Sequence, residues 1–344
     1  MTDKNEASGE LAVVTGASGH LGANLVRELL ARGRRVRVLV HKDTRALAGL
    51  PIERVDGDVL HPEAMTRAFE GAHTVFHLAA VISISGDRDG RVERVNVHGA
   101  ANAASAARRA GVKRFVHCSS IHAFDLYRGG ARVDELSPRA IRPEAFDYDR
   151  SKNRGEQGVR REIEQGLDAV IVNPTGVMGP LDFGPSRMGR VLLDLYNRRL
   201  PSLVDGGFDW VDVRDVIAGL LAAETRGRTG ENYILGGGYR SVPELAAIAR
   251  SITGVPLPRI ASPRWLAKVG VPFALGYGRI AGKEPLFTFE SLDTLGLSRT
   301  IDVNKAKVEL GHAPRPLEDT IRDSYRWFAE AGVIPADALR GPRA

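Results

Sequence analysis

The sequence predicts an α/β fold: a doubly wound parallel sheet with helices on both faces, and a smaller C-terminal substrate-binding lobe over the strand ends. Three observations predict it. Short apolar runs alternate with helix-period segments from Leu11 to Val172, and strands alternating with helices build parallel sheets. A glycine-rich turn, Gly16-Ala17-Ser18-Gly19-His20-Leu21-Gly22, joins the first apolar run to the first helical pattern. After Pro174 the alternation loosens, and Pro and Gly cluster at 174–185, 236–243, 254–263 and 270–285.

Leu11–Thr15 reads as a strand, Leu21–Arg32 as a helix and Arg35–Val40 as a strand. Ile52–Asp56 reads as a short strand, followed by a helix at Pro62–Glu70, where Pro suits the first helical turn. Thr74–Leu78 is the next strand, Val95–Ala110 a helix and Arg114–Ser119 a strand. Ser151–Gln165 is a helix and Ala169–Val172 a strand. Residues 10–174 are expected to form mainly the sheet domain. Residues 175–335 are expected to form mainly the lobe, with some elements returning to the sheet. Leu257–Gly282 is apolar but broken by Pro and Gly; an amphipathic lid, a partner surface and a buried hairpin all fit it.

Composition narrows the class. A chain of 344 residues suits one large α/β domain with a lobe, or two domains. It is 43% hydrophobic, enough for a core, yet holds no apolar run long enough for a membrane span. Its first ten residues are polar and acidic, unlike a signal or transit peptide. The single cysteine, Cys118, excludes an internal disulfide and fits the cytoplasm. The net charge of +6 is modest, and its arginines are scattered at predicted helix ends, which argues against nucleic-acid binding. No zinc spacing and no internal repeat is present, so no metal is expected.

The glycine turn points to a dinucleotide. Glycines permit the tight turn and a close approach of backbone to a pyrophosphate, while the helix N-terminus adds N–H groups and partial positive charge. This makes Gly16, Ser18, Gly19, His20, Leu21 and Gly22 cofactor-binding candidates in a Rossmann-type domain. An ordinary strand-to-helix turn is the structural alternative. A carboxylate ending the second strand would select NAD, and a basic residue NADP. The chain continues Val40-His41-Lys42-Asp43, so His41 and Lys42 predict NADP, with NAD as the alternative. Asp58, in Gly57-Asp58-Val59, is placed to accept from the adenine amino group or to cap its own turn.

Tyr148 and Lys152 stand four residues apart. If residues 148–165 are helical, the two share a face. A free phenol titrates near pH 10, and a neighbouring cation lowers that value toward the working range of an acid or base.

Together these segments resemble the extended short-chain dehydrogenase/reductases of the NAD-dependent epimerase/dehydratase superfamily. They are most similar to its branch of dihydroflavonol reductases, 3β-hydroxysteroid dehydrogenases and hopanoid-associated sugar epimerases. The resemblance covers roughly residues 10 to 330. Eight motifs in order carry it: residues 15–22, Gly57-Asp58, His77-Leu78-Ala79-Ala80, Asn96-Val97-His98-Gly99, Phe115-Val116-His117-Cys118-Ser119-Ser120, Tyr148-x-x-x-Lys152, Asn173-Pro174-Thr175-Gly176-Val177-Met178-Gly179-Pro180 and Val211-Asp212-Val213-Arg214-Asp215-Val216.

The resemblance implies the site. Ser120, or Ser119 one residue earlier, would hydrogen-bond the substrate oxygen. Tyr148 would be the general acid or base. Lys152 would hold the nicotinamide ribose and lower the phenol's pKa. Ala79 and Ala80 would line the adenosine–pyrophosphate path, and Val59, beside Asp58 in sequence, is a further cofactor-binding candidate; Asn96 is a cofactor contact or a structural amide. Pro174 and Val177 would pack near the nicotinamide. The implied reaction is hydride transfer at a carbonyl or hydroxyl carbon. An NAD-dependent sugar epimerase and a non-catalytic NADP-sensing protein are the alternatives.

Departures from the family pattern narrow the substrate. Ser120 is followed by Ile121-His122 where dehydratases carry Asp-Glu. Gly206-Gly207-Phe208-Asp209-Trp210 lacks the arginine that grips a sugar nucleotide's diphosphate, unless Arg187, Arg190 or Arg198 replaces it. Phe124, Phe146, Met178, Phe183, Phe208 and Trp210 either line a pocket for a less polar, small or lipid-like molecule or pack in the core. His122 either contacts substrate or lies at the surface. The resemblance also implies a homodimer through helices 95–110 and 150–165, the first bearing an alanine face that suits close packing.

Overall fold

The computed structural model describes residues 9–41, 43–84, 86–127, 132–258, 261–281, 288–297 and 300–339. The first strand, β1 (Leu11–Thr15), is buried along its whole length. It leads through the glycine turn into α1 (His20–Ala31). Then come β2 (Arg35–Val40), β3 (Glu53–Asp56), α2 (Pro62–Phe69) and β4 (Thr74–His77). A long helical stretch follows: one turn at Arg91–Glu93, a π-type segment at Arg94–Gly99, then α3 (Ala100–Arg109). The half closes with β5 (Arg114–Cys118), α4 (Asp147–Glu164) and β6 (Ala169–Pro174).

The remaining chain builds the lobe and returns once to the sheet. It contains β7 (Gly176–Met178), α5 (Arg187–Tyr196), β8 (Gly207–Asp212), α6 (Val213–Arg226), β9 (Asn232–Leu235), β10 (Tyr239–Ser241) and α7 (Val242–Thr253). The helices α8 (Arg264–Ala281), α9 (Phe289–Leu295) and α10 (Leu317–Glu330) follow. Among the described residues, no helix is long and apolar enough to cross a membrane.

Seven parallel strands make the main sheet in the order β9-β6-β5-β4-β1-β2-β3. The chain runs outward from β1 to β3, then crosses back to β4, so the order reverses between β1 and β4. Both faces are covered by helices. Accordingly β1, β4, β5 and β6 are buried along their whole length, with no alternation of buried and exposed residues. A second sheet of three strands, β10-β8-β7, underlies the lobe.

Element boundaries differ from the sequence expectation where tertiary contacts extend a helix or strand. The helix expected from Val95 begins at Arg91, and the one expected from Ser151 begins at Asp147. The strand expected to end at Val172 runs to Pro174, because β9 pairs with it as far as Leu235. Along α4, Gly155 and Gly158 face α3: a Cβ on Gly155 would stand 2.4 Å from the Asn96 carbonyl oxygen, and one on Gly158 3.0 Å from the Ala101 Cβ. Ala100, Ala103, Ala104, Ala106 and Ala107 are buried. Ala103, Ala104, Ala106 and Ala107 pack in a core cluster with Phe69 and Phe115.

His77 and His117 stack inside the sheet with centroids 5.5 Å apart, and His77 Nδ1 lies 2.8 Å from Thr15 Oγ1. Burial, with Lys152 nearby, pushes His77 down to about 3 and holds His117 well below its ordinary value. An unfolded histidine titrates near 6.5, so below that pH the unfolded chain binds more protons than the fold. Stability is therefore expected to fall as pH drops from about 6.5 toward 3. Denaturant midpoints at neutral and mildly acidic pH check this, and the dependence should shrink in a His77→Gln, His117→Gln double variant.

Candidate active site

The strand order reverses between the carboxyl ends of β1 and β4, where open α/β sheets bind ligands. Gly16 leaves β1 with φ of +71°, and a Cβ there would stand 2.7 Å from the backbone N of Ala79, just past β4. A Cβ on Gly22 would stand 2.2 Å from the Gly16 carbonyl oxygen. Any side chain at either position would close the turn. The N-cap of α1, Gly19, makes no side-chain hydrogen bond, and the first turn of α1 carries no acidic residue. The turn therefore presents backbone N–H groups and the positive helix end to an anion. This cradle fits a dinucleotide's pyrophosphate. His20 Nε2 lies 3.0 Å from the Pro180 carbonyl oxygen, and Asn24 Nδ2 donates to the same atom at 3.2 Å, tying the turn to the start of the lobe.

A cleft of about 410 Å³ opens from this turn. Gly16, Gly19, His20, Leu21, Gly22, Ala80, Ser119, Ser120, Tyr148, Lys152, Pro174 and Val177 line it. Ser18, His41, Asp58, Val59, Ala79 and Asn96 do not. Ala79 forms the floor beneath Gly16, and Val59 packs in the core against Gly99. Asn96 is a structural amide here, exchanging bonds with the Val81 backbone and donating to Ser151 Oγ. Asp58 caps its own turn through Leu60 N and faces His41 Nε2 at 3.5 Å. His41 is exposed at the end of β2, Asp43 is paired with Arg45, and Lys42 lies outside the described residues.

Tyr148, Lys152 and Glu156 follow at four-residue intervals along α4 and share its buried face. Tyr148 hydrogen-bonds Ser120. Burial raises the phenol well above its ordinary pKa, and the Ser120 bond offsets only part of that. The Lys152 ammonium donates to the Cys118 carbonyl at 3.3 Å. Burial lowers the pKa of Lys152 itself. Without ligand, Tyr148 is therefore a protonated phenol at neutral pH.

A buried polar network holds Ser120 in place. Asn173 Nδ2 donates to the Ser120 carbonyl at 2.9 Å and to Glu156 Oε1 at 2.7 Å. Glu156 also takes Asn232 Nδ2 and an Arg139 ion pair. No single segment announces these partners in sequence, because each comes from a different element.

His122 lines the cleft beside Tyr148, with ring centroids 5.5 Å apart. Its Nδ1 lies 2.8 Å from Asp149 Oδ1. Burial lowers the pKa of this imidazole, but the Asp149 charge and hydrogen bond more than offset it, and the net shift is upward. Sequence reasoning assigned Asp149 no role. Nearby, burial and the Asp149 charge push Glu290 up to about 7.

The lining of the cleft is largely apolar. Ile82, Ile84, Leu126, Phe208, Trp210, Leu297 and Ile301 line it, together with Arg187. Of the six residues expected at a pocket or in the core, Phe208 and Trp210 line the cleft. The other four take the packing alternative. Phe124 is fully buried beneath Arg139, Phe146 stacks on Tyr127, Met178 lies in the lobe core and Phe183 meets Trp327. Of the three candidate arginines, Arg187 alone lines the cleft.

Comparison with known proteins agrees with this geometry. The sequence model described as the NAD dependent epimerase/dehydratase family matches residues 12–236. A protein of Methylococcus capsulatus named sterol demethylase protein B is 38% identical over 94% of this chain and 99% of its own length. A putative dihydroflavonol 4-reductase of Synechocystis is 35% identical over 93% of this chain and 95% of its own. The crystal structure of gox2253 superposes with a TM-score of 0.80 at 34% identity, covering 94% of this chain and 99% of that one.

The His122–Asp149 pair makes a direct prediction. By NMR, the His122 imidazole should titrate above the ordinary histidine value, and in Asp149→Asn its titration point should fall. An unchanged titration would show that the pair is not what raises it.

Proposed function

Because the chain belongs to the NAD-dependent epimerase/dehydratase family, we propose that it reduces a carbonyl, or oxidises the matching hydroxyl, on an apolar, lipid-like substrate. The chain is an enzyme of the NAD(P)-dependent oxidoreductase type. The observation that carries the substrate reading is the cleft itself: its lining is mostly apolar and includes Ile82, Leu126, Phe208, Trp210 and Leu297. A diphosphate needs charge-assisted donors, and the strand β8 offers Phe208 and Trp210 instead. The relatives named for a sterol and a dihydroflavonol point to phosphate-free ring systems of this kind.

A bound nicotinamide supplies or accepts the hydride. The chain's own residues do the rest. Tyr148, protonated when the site is empty, donates its proton to the substrate oxygen as negative charge develops there. Ser120, already bonded to the phenol, holds that oxygen within reach. Lys152 would bind the nicotinamide ribose hydroxyls and bring its charge toward the phenol. Gly16, Gly19 and Gly22 would cradle the pyrophosphate. The basic run His41-Lys42 with Arg45 favours NADP at the ribose end.

Arg187, at the first position of α5 and lining the same cleft, is the observation that favours a second reading, a sugar epimerase with tightly held NAD. Copurifying cofactor and no net oxidation of added NADPH would mark that case.

Three outcomes are expected. NADPH should bind more tightly than NADH in fluorescence titration; the reverse order overturns the NADP preference. Apolar ketones, aldehydes or sterols should be turned over in preference to sugar nucleotides. Tyr148→Phe should keep cofactor affinity and lower turnover by about 10²–10⁴-fold, the usual worth of a positioned acid; retained activity would remove Tyr148 from the chemistry.

A further inference from the structure

Helix α8 turns an apolar face outward. Trp265 is 68% exposed, Val269 59% and Phe273 78%, with Leu266 beside them at 45%. Trp265, Val269 and Phe273 recur every four residues and so share one side of the helix. The opposite side is anchored: Val271 is buried, and Ala267 packs against the cluster containing Leu292 and Leu295 of α9. The buried-hairpin reading of this segment therefore does not hold for its outward residues. Large aromatic side chains aligned in solvent mark an interaction surface.

The helix itself, Arg264–Ala281, carries Arg264, Lys268 and Arg279 in its sequence and no Asp or Glu. Lys268 is paired with Asp293 of α9, and Arg264 is exposed. A helix with Trp, Phe and Leu on one face and cations flanking it suits the headgroup layer of a bilayer, lying in its plane. Anionic lipids complement the cations. A second copy of the chain would bring the same cations against each other across a two-fold axis. The helix does not read as a span.

The surface connects to the catalytic cleft through one short helix. α9 packs on α8, and its Thr294 lines the cleft. Thr288, the N-cap of α9, donates to the Ile84 carbonyl, and Ile84 lines the cleft as well. Beside it, Ile82 is 60% exposed and also lines the cleft.

We propose that the outward face of α8 docks on the surface of an anionic lipid bilayer, from which an apolar substrate reaches the cleft. The docking half stands on α8 itself, and the delivery half rests on the lipid-like substrate reading above.

The test uses the full-length protein and sedimentation with vesicles of phosphatidylcholine, with and without phosphatidylglycerol. The expected result is binding to the anionic vesicles that weakens with added salt, with a blue shift of tryptophan emission as Trp265 enters the headgroup layer. A Trp265→Ala, Phe273→Ala double variant should lose binding by roughly tenfold or more, and Arg264→Glu should weaken it on anionic vesicles. Turnover of a small water-soluble ketone should be the same in the double variant as in the natural chain. Absence of vesicle binding by the natural chain overturns the proposal. So does a double variant that converts a dimer to a monomer in light scattering while vesicle binding persists, since the face would then be a contact between copies. Vesicle binding without turnover of any lipid-like substrate would leave the docking surface standing and overturn the substrate reading alone.

Discussion

Between Gly16 and Ala79 there is no room for a methyl group, and that single close approach organises the nucleotide half of the molecule. The ends of β1 and β4 are neighbours because the sheet reverses its order between them. The chain leaving β1 must turn under the chain leaving β4, and then turn again so that α1 begins beneath its own loop. Gly22 meets the second demand, since a Cβ there would collide with the Gly16 carbonyl oxygen. The result is an uncapped helix end facing the crevice. Backbone geometry, rather than any charged side chain, creates the anion site.

The part of the cleft that carries Tyr148 depends on α4 in a comparable way. One helix face delivers Tyr148, Lys152 and Glu156 at successive turns, and the neighbouring face carries the glycines that let it approach α3. The two sets of residues constrain each other. If α4 stood farther from α3, its functional face would shift relative to Ser120. Glu156 closes the loop by anchoring Asn173, which holds the Ser120 carbonyl. Positioning of the hydroxyl and positioning of the phenol are therefore coupled through one buried carboxylate. Burial also explains the protonation states. It raises Tyr148 and lowers Lys152, His77 and His117, whereas His122, with Asp149 against it, is shifted upward.

The nucleotide turn, the strand–helix alternation and the Tyr–Lys pair were legible in sequence because each is local. Glycine spacing, a two- or four-residue period and a run of apolar residues are written within a few positions of one another. The substrate end was much less legible. Ile82, Leu126, Phe208, Thr294 and Ile301 come from separate segments and meet only after the lobe folds over the sheet. Phe124, Phe146, Met178 and Phe183 look equally suitable in sequence but are used in packing. Composition does not record which face of a strand or loop turns inward.

By itself, then, the sequence determined the sheet, the glycine turn and the Tyr148–Lys152 pair, because short-range spacing encodes them. Tertiary structure decided three further things. It buried Tyr148, which raises the phenol's pKa. It paired His122 with Asp149 across two elements. It also turned the apolar side of α8 outward while committing the alanines of α3 inward. Each of these is a matter of which surfaces meet and which are left to solvent, and that follows from long-range packing that no local pattern carries.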